Sequence, residues 1–459
     1  GDLDLLNGTY ILQAQPGSCA ALGSAPCIPT ADGSLPAHVV LDPRQKILHN
    51  WLTNLQPRVG VAYRVNEKTA LRAGFGMFYD NLAGILQMAQ NMGETWPSIG
   101  RQLTGNLNQP SVAQPLPTIS GKNPIPGVTQ PAPNPFNNGA YFADPNFQDA
   151  YSMQWNFGAQ YALNQETLFE VDYVGSGNRR LDIGGFYNVA LTPGPGNPSA
   201  RSPFPYIAPT NFDRSWGRSN YNALQAQLRR RYSNGLSYTV AYTWSKAISI
   251  GCDGFFGVEG CSVQDPYHFN NDRSVASIDV PQNLSVSWVY ELPIGSGKLL
   301  HTGNHMADYA IGGWQVNGVA SAHSGLPYSI AVNGDIANTG NASGYMRANL
   351  VGDPALGNPT VAKWFNTSAF AVPAPYTFGN SGRDIMRGPG LVDFDFSLFR
   401  RFPLRLREGM ALEFRGEAYN LFNTTHFGNP VSNLSNVTFG QITSAYGSRQ
   451  LQLGARLDF

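Results

Sequence analysis

Charge is scarce in this sequence. Lys, Arg, Asp and Glu supply 13 % of its 459 residues, about half the usual share in soluble globular proteins. They balance, 30 basic against 30 acidic, so neither nucleic acid nor a polybasic contact with an anionic membrane surface has electrostatic support. Long apolar runs are missing as well. No stretch approaches the roughly 18 residues of a membrane-spanning helix, and the most apolar segments, such as "VSWVY", are short and interrupted. Cysteine is down to four, Cys19, Cys27, Cys252 and Cys261, in two locally spaced pairs within Gly/Pro-rich loops. Such spacing suits two disulfide-closed loops in an oxidising compartment. Four free thiols fit it less well, and zinc less still, because neither pair is CxxC. No leader is visible and Gly1 opens in mid-pattern, so we expect a chain whose leader has been removed or that is a piece of a longer one.

Catalytic constellations are absent too. There is no GxSxG elbow. "PIGSGKLL" imitates the tail of a phosphate loop, but its first Gly is missing and Leu299 stands where Ser or Thr is needed, so it reads as a Gly-rich turn. "HTGNH" spaces His301 and His305 four apart, with no Glu between and no helical pattern, which fits an incidental loop pair better than a metal site. Asp393 and Asp395 in "DFDFSLF" share a strand face and read as solvated carboxylates rather than paired acids. Asp253, Glu259, Asp265 and Asp272 match no cation loop. We expect no enzyme, no cofactor and no metal.

What is abundant is aromatic and turn-forming: Tyr, Phe and Trp make up 12 %, beside 50 Gly and 33 Pro. The chain ends in "RQLQLGARLDF", where Leu451, Leu453, Ala455, Leu457 and Phe459 alternate with Gln450, Gln452, Gly454, Arg456 and Asp458. Period-two alternation marks a strand with one wet face and one face in an apolar medium. "YSMQWNFGAQYAL" from Tyr151, "LSYTVAYTW" from Leu236 and "MALEFRGEAYNLF" from Met410 repeat it, and comparable segments begin near Pro57, Thr69, Glu166, Ser219, Pro281, Gly312 and Leu391. Strands of soluble sandwiches average about 5–6 residues, whereas membrane strands need roughly 9–11. Most segments here sustain alternation over the longer span, which favours a bilayer. Charge on the apolar face is confined to strand ends, as at Lys246 and Arg400. The polar face would line a barrel interior with Arg64, Arg72, Gln154, Glu170, Asp172, Gln225, Gln227, Glu413, Arg415 and Glu417. For any one of them, simple hydration of the wet face is the plainer account. Tyr79, Tyr151, Tyr173, Trp244 and Trp288 fall on the apolar face, which favours interfacial girdles over a substrate-stacking surface.

Connections alternate in length. "VNEK" near Asn66, "NQE" near Asn164, "SNG" near Asn234 and "REG" near Glu408 are tight, and Gly/Pro/Asn-rich stretches at 81–150, 176–218, 248–280 and 423–447 are long. Short turns at one end and long loops at the other are the layout of an outer-membrane barrel, periplasmic turns against extracellular loops. That parity gives about fourteen strands and places Phe459 at the periplasmic rim. Two of the fourteen, near "LDLLNGTYIL" and "YMRANL", are weakly patterned. The connection from Pro293 to Ile311 is long on the short side, and "SGLP" at Ser324 reads as a short turn on the long side.

These segments resemble a known family. "LQPRVGVAYRVNEKTALRAGFGMFYD", "YSMQWNFGAQYALNQETLFEVDYVGS", "NYNALQAQLRRRYSNGLSYTVAYTWSKA", "LSVSWVYELPIG", "GRDIMRGPGLVDFDFSLFRRF" and "LEFRGEAYNLFNTTHFGNP" resemble the barrel of Oar-like, carboxypeptidase-regulatory-like TonB-dependent transporters. The likeness covers most of the chain in the family's order. "LQLGARLDF" is similar to the family's C-terminal signal, which implies that Leu453, Ala455, Leu457 and Phe459 are read by the barrel-assembly machinery. Family members carry a signal peptide, a β-sandwich, a plug and a barrel of twenty-two strands. The resemblance therefore implies an all-β, antiparallel transmembrane barrel in which residues 1–459 are one β-barrel domain, its C-terminal portion, with the plug, the N-terminal β-sandwich and the early strands outside this chain. It implies a place in the outer membrane of a Gram-negative-type bacterium, among outer-membrane lipid. It also implies a TonB complex acting through a plug not in this chain, and uptake of a small solute: sugar, peptide or siderophore. The other reading is a surface adhesion or secretion-related barrel without active uptake.

Overall fold

The computed structural model describes residues 1–23, 25–44, 53–80, 96–97, 133–136, 141–144, 146–250, 263–341, 346–404 and 410–459. Eleven long strands form one continuous antiparallel ladder, each paired with the next along the chain. They are β1 (Arg58–Arg64), β2 (Thr69–Tyr79), β3 (Tyr151–Ala162), β4 (Thr167–Ile183), β5 (Thr210–Ser233) and β6 (Leu236–Ile250). The ladder continues through β7 (Gln282–Glu291), β8 (Trp314–His323), β9 (Leu391–Pro403), β10 (Ala411–Tyr419) and β11 (Gln450–Asp458). Among the described residues β1 pairs only with β2, and β11 only with β10.

The tight turns have local causes. At Asn66 the side-chain oxygen accepts from the amides of Lys68 (2.8 Å) and Thr69 (2.9 Å). Asn164 does the same for Glu166 (3.0 Å) and Thr167 (2.8 Å), a side-chain mimic of a backbone turn. Between β5 and β6 only Asn234 and Gly235 intervene, both at positive φ (52° and 77°). That is the two-residue turn whose twist matches a hairpin. The "REG" turn lies outside the described residues.

The other end carries the connections 80–150, 184–209, 251–281, 324–390 and 420–449, and residues 1–57 lead into β1 there. Two expectations are corrected at this end. "LDLLNGTYIL" is not a wall strand: Asp2–Asp4 and Thr9–Leu12 pair with each other and with Val39–Leu41 in a separate three-stranded sheet. "YMRANL" contributes only two-residue pairings, Met346–Arg347 with Ala331–Val332 and Asn349–Leu350 with Phe370–Ala371. "SGLP" is accordingly no hairpin but the start of one long connection, 324–390. The count of about fourteen wall strands thus becomes eleven among the described residues. Three further short segments attach to β5 and β6 at the loop end.

Among the described residues the wall has no buried apolar cluster of its own. Away from the turn end its apolar face is largely bare, with Val59, Phe157, Trp244, Leu451 (73 % exposed) and Leu453 (89 % exposed) projecting from it. The buried apolar clusters lie in the loop layer instead. One gathers Leu3, Tyr10, Ile28, Trp96, Tyr187 and Phe212, and another gathers Ile330, Val332, Met346, Phe365 and Phe370. A third is formed by Ile183, Ile250 and Val263 where β4 and β6 enter that layer. Cys19 and Cys27 are joined in a disulfide beside the short helix α1 (Cys19–Leu22), with Cα atoms 4.8 Å apart. Cys252 and Cys261 lie outside the described residues. No described helix is long and apolar enough to cross a membrane.

At the turn end one connection, 292–313, is long. It contains helix α2 (His305–Ile311), capped by Asn304, whose side chain accepts from the amides of Met306 and Ala307. Within "HTGNH" residues 301–304 precede the helix and only His305 belongs to it, so the two histidines do not share a helix face. Seven residues make two turns, too few for apolar periodicity to register.

Candidate functional site

Directly opposed residues of adjacent strands share a sheet face, so the register decides what each face presents. Arg72 opposes Gly158, Gly158 opposes Asp172, Asp172 opposes Gln225 and Gln225 opposes Thr243. One row further toward the turns, Glu170 stands between Gln160 and Gln227. Arg64 and Gln154 belong to the same face through their partners Ala70 and Ser176. At the far side Glu417 opposes Ser397 and Gln452, and Glu413 lies between Arg401 and Arg456. The ten polar residues singled out from the sequence therefore all lie on one face of the ladder.

The structure joins some of these residues and leaves others apart. Gly158 matters for its missing side chain: a Cβ there would lie 1.7 Å from Asp172 Oδ1. The Asp172 carboxylate thus leans over β3 toward the strand that carries Arg72. Gln160 Nε2 donates to Glu170. Arg415 bridges its strand neighbours, 3.0 Å from Glu413 and 3.8 Å from Glu417. Arg456 reaches Asp458 at 2.8 Å, and Arg401 reaches the same carboxylate at 3.4 Å. Exposed pairs of this kind contribute about 0.2–1 kcal/mol each. Their weight lies in keeping the face hydrated and its signs alternating. Arg64 turns away to its own hairpin and donates to the Asn66 carbonyl (3.3 Å).

Between these patches the polar face is hollowed. A groove of about 740 Å³ runs from Arg229 on β5 across Thr239, Ser287, Asn317 and Asp395 to Glu417 on β10. A second, of about 490 Å³, lies over β1–β5, where Arg58 stacks 4.6 Å above Phe78 beside Gln154 and Asn156. Arg58, Arg229 and Asn317 escaped the sequence reading. Parity with Arg64 and Gln227 was the signal that would have found the first two. Asp393 and Asp395 are less free than expected. Asp393 sits 3.4 Å from His426 Nε2, and Asp395 Oδ1 accepts from the Asn420 amide (2.8 Å), so both hold the start of the last long connection.

The opposite face ends in the C-terminal row. Leu453 opposes Gly416, Ala455 opposes Phe414 and Leu457 opposes Leu412, with Phe459 exposed at the turn end. Trp155 covers Gly175 and Trp288 covers Gly318 across the strands, their rings filling the space a Cβ would need. Tyr79 and Tyr151 meet at 5.3 Å near the loop end of this face.

Arginines tie the loop layer together. Arg347 is paired with Asp272, which is 2 % exposed, and donates Nε to the Ser381 carbonyl (2.8 Å). Gln264 accepts from the Arg347 amide (2.8 Å) and donates to the Gly379 carbonyl (3.1 Å). Arg383 donates to Ser274 Oγ (2.8 Å) and Ser249 Oγ (2.6 Å), and Arg387 pairs with Asp279 at 2.7 Å. Burial pushes the Asp272 and Asp384 carboxyls above the usual range, against the pull of Arg347 and Arg383. It pushes Tyr267, whose hydroxyl donates to the Val189 carbonyl, up to about 12. Asp265 pairs with His268 (2.9 Å) and Asp272 with Arg347, so these two acids are not gathered for a cation. Asp253 and Glu259 lie outside the described residues. Among the described residues no three His, Cys, Asp or Glu side chains converge on one point.

A family model described as an outer membrane beta barrel domain matches residues 7–452. Among solved structures, the chain is similar to the ferric-catecholate import receptor Fiu of Escherichia coli K12. Identity is 11 %, over 87 % of this chain and 34 % of that one, with a TM-score of 0.39. It is similar to the outer membrane transporter YddB of Escherichia coli at 10 % identity, over 85 % of this chain and 38 % of that one (TM-score 0.44). The ferric enterobactin receptor PfeA of Pseudomonas aeruginosa gives 11 % identity over 87 % and 39 % (TM-score 0.42). The chain thus spans 34–39 % of the length of these three. No curated protein matches the sequence.

Proposed function

This chain belongs to the outer membrane beta-barrel domain family, and from that premise we propose that it is part of the wall of an Oar-like TonB-dependent receptor. In this reading residues 1–459 are one β-barrel domain, the C-terminal portion of a larger barrel that takes up a scarce solute. One observation carries it: among the described residues, eleven successive strands present a polar face without closing. Strands lie ~4.8 Å apart, so eleven span an arc of about 50 Å. Open edges are not tolerated in hydrocarbon, so further strands complete the ring. A ring of more than eleven strands is too wide for its own side chains to fill. Such a lumen calls for a plug, and Arg72, Asp172 and the Glu413–Arg415–Glu417 row are the groups that would hold it. The turn end faces the periplasm and the loop layer faces outward, where a sugar, peptide or siderophore would dock. Leu453, Ala455, Leu457 and Phe459 form the strand read by the barrel-assembly machinery.

Uptake in cells tests this. Radiolabelled ferric siderophores, oligosaccharides and peptides are offered to cells with and without the gene, and again after the proton gradient is collapsed. Loss of accumulation in both cases supports energised transport. Uptake that survives the collapse means a passive pore. One observation favours a second reading: the loop layer has its own buried cores and its own internal salt bridges, as a surface built for adhesion would. Unchanged uptake together with loss of surface attachment on deletion would select it.

A further inference from the structure

Connection 292–313 has a second role that its geometry assigns. It folds outward, against the apolar face of the wall, rather than hanging below the turns. Arg400 shows this: its register partners are Phe414 and Trp314, on the apolar face, yet it is only 4 % exposed. Its guanidinium donates to the Ala310 carbonyl (2.5 Å) and the Tyr309 carbonyl, at the C-terminal end of α2, and lies 3.9 Å above the Phe402 ring. The partial negative charge of a helix C-terminus suits a cation there. The Tyr309 ring rests against Phe402 (6.3 Å), and its hydroxyl donates to the Pro403 carbonyl (3.3 Å).

The segment is built rather than slack. Asp308, the acid of α2, is buried and accepts from Thr302 through both amide (2.7 Å) and hydroxyl (2.8 Å). Gly295, at φ +116°, packs so close to Gly312 that a Cβ on it would lie 2.8 Å from the Gly312 Cα. What this order holds outward is apolar: Leu299 is 83 % exposed and Met306 78 %, with Leu300 and Ile311 beside them. The same helix is fastened to the apolar face of β9 through Tyr309 against Phe402 and through Arg400.

We propose that residues 298–311 are an interfacial foot, seated in the membrane leaflet that meets the turn end, with Leu299, Leu300, Met306 and Ile311 among the acyl chains. The occupant is lipid because the helix that bears the patch is anchored on the lipid-facing side of the wall, and its own acid, Asp308, is buried. α2 also covers Arg400, so that the one arginine of β9 on the apolar face meets carbonyls instead of hydrocarbon. The inference rests on the outer-membrane place of the wall and not on the transport reading.

Nitroxide labels at Leu299→Cys and Met306→Cys in the full-length protein, reconstituted in phospholipid nanodiscs, test it by collision with oxygen and with a water-soluble nickel chelate. Leu453→Cys is the lipid control and Asn66→Cys the water control. The unlabelled-site parent, taken through the same chemistry, is the blank. The foot predicts oxygen-favoured collisions at both sites, corresponding to a depth of about 5–10 Å below the headgroups, and a more mobile label at 306 when Arg400→Leu is added. Nickel access equal to that at Asn66, with Leu453 still lipid-exposed, overturns it. Exclusion of both reagents, the mark of a protein partner, overturns it equally. If Leu453 itself reports water, the membrane placement of the wall has failed instead.

Discussion

Replacing Arg347 by Met would expose how the loop layer is held. The change removes the cation paired with Asp272 and the donor to the Ser381 carbonyl, leaving a carboxylate that is 2 % exposed without its bonded counter-charge, with Arg383 the cation still acting on it. Breaking one side of a buried pair costs about 3–5 kcal/mol. At 1.36 kcal/mol per decade this raises the local opening equilibrium by roughly two to nearly four orders of magnitude. Because the wall does not depend on this pair, the loss is local. Hydrogen exchange read peptide by peptide should show lost protection over 263–275 and 346–350, and none over β2–β5. The sign of the pH effect follows from burial, which raises the native carboxyl of Asp272 above its ordinary 3.8. A raised native value contributes stability that is complete below 3.8 and lost as pH rises through the native value. Acidification should therefore rescue the Arg347→Met protein, and adding Asp272→Leu should rescue it at neutral pH. A protection change under about threefold, or one spread equally through the wall, would refute the argument.

Three further outcomes are expected. Leu453→Arg puts a charge on the bare apolar face and should lower stability in lipid vesicles by about 2–4 kcal/mol near the midplane, whereas Gln452→Arg, on the other face, should change it by less than about 0.5 kcal/mol. Denaturant titration in vesicles measures both. Gly318→Val would drive a Cβ to 2.1 Å from the Trp288 ring and cost about 1–3 kcal/mol by overpacking, while Gly454→Val, with open space around it, should be silent. Heat-modifiable gel mobility compares the two. Deleting Phe459 should cut the yield of assembled protein in cells several-fold while leaving refolding into vesicles unchanged, a split that pulse-chase assembly assays would reveal.

The wall was legible in the sequence because each of its strands has two unlike faces. The eleven alternating segments, from the one near Pro57 to the one at Gln450, each fall on one of β1–β11. Legibility stopped where both faces of a strand became alike. β5 begins at Thr210, not near Ser219, because Phe212, Asp213 and Arg214 are all buried as the strand enters the loop layer. There the register also shifts between Arg214 and Gly217. The loop layer was opaque for a different reason. Its pairings are two or three residues long, and its ion pairs join distant segments, Arg347 and Asp272 being 75 residues apart. Periodicity has nothing to count over such lengths. Of the polar face, parity assigned the ten residues. That Gly158 makes room for Asp172, and that Arg64 turns to its hairpin, depends on side-chain placement that parity does not encode.

The confinement of buried apolar clusters to the loop layer has a calorimetric consequence. A positive heat-capacity change on unfolding arises when apolar surface enters water. The wall keeps its apolar face in lipid, so melting of the loop layer alone should carry the heat-capacity step, with a curved stability profile and a tendency to loosen in the cold. The strands beneath should respond to bilayer thickness and composition instead. One chain would then have two thermometers, one reading water and the other reading fat.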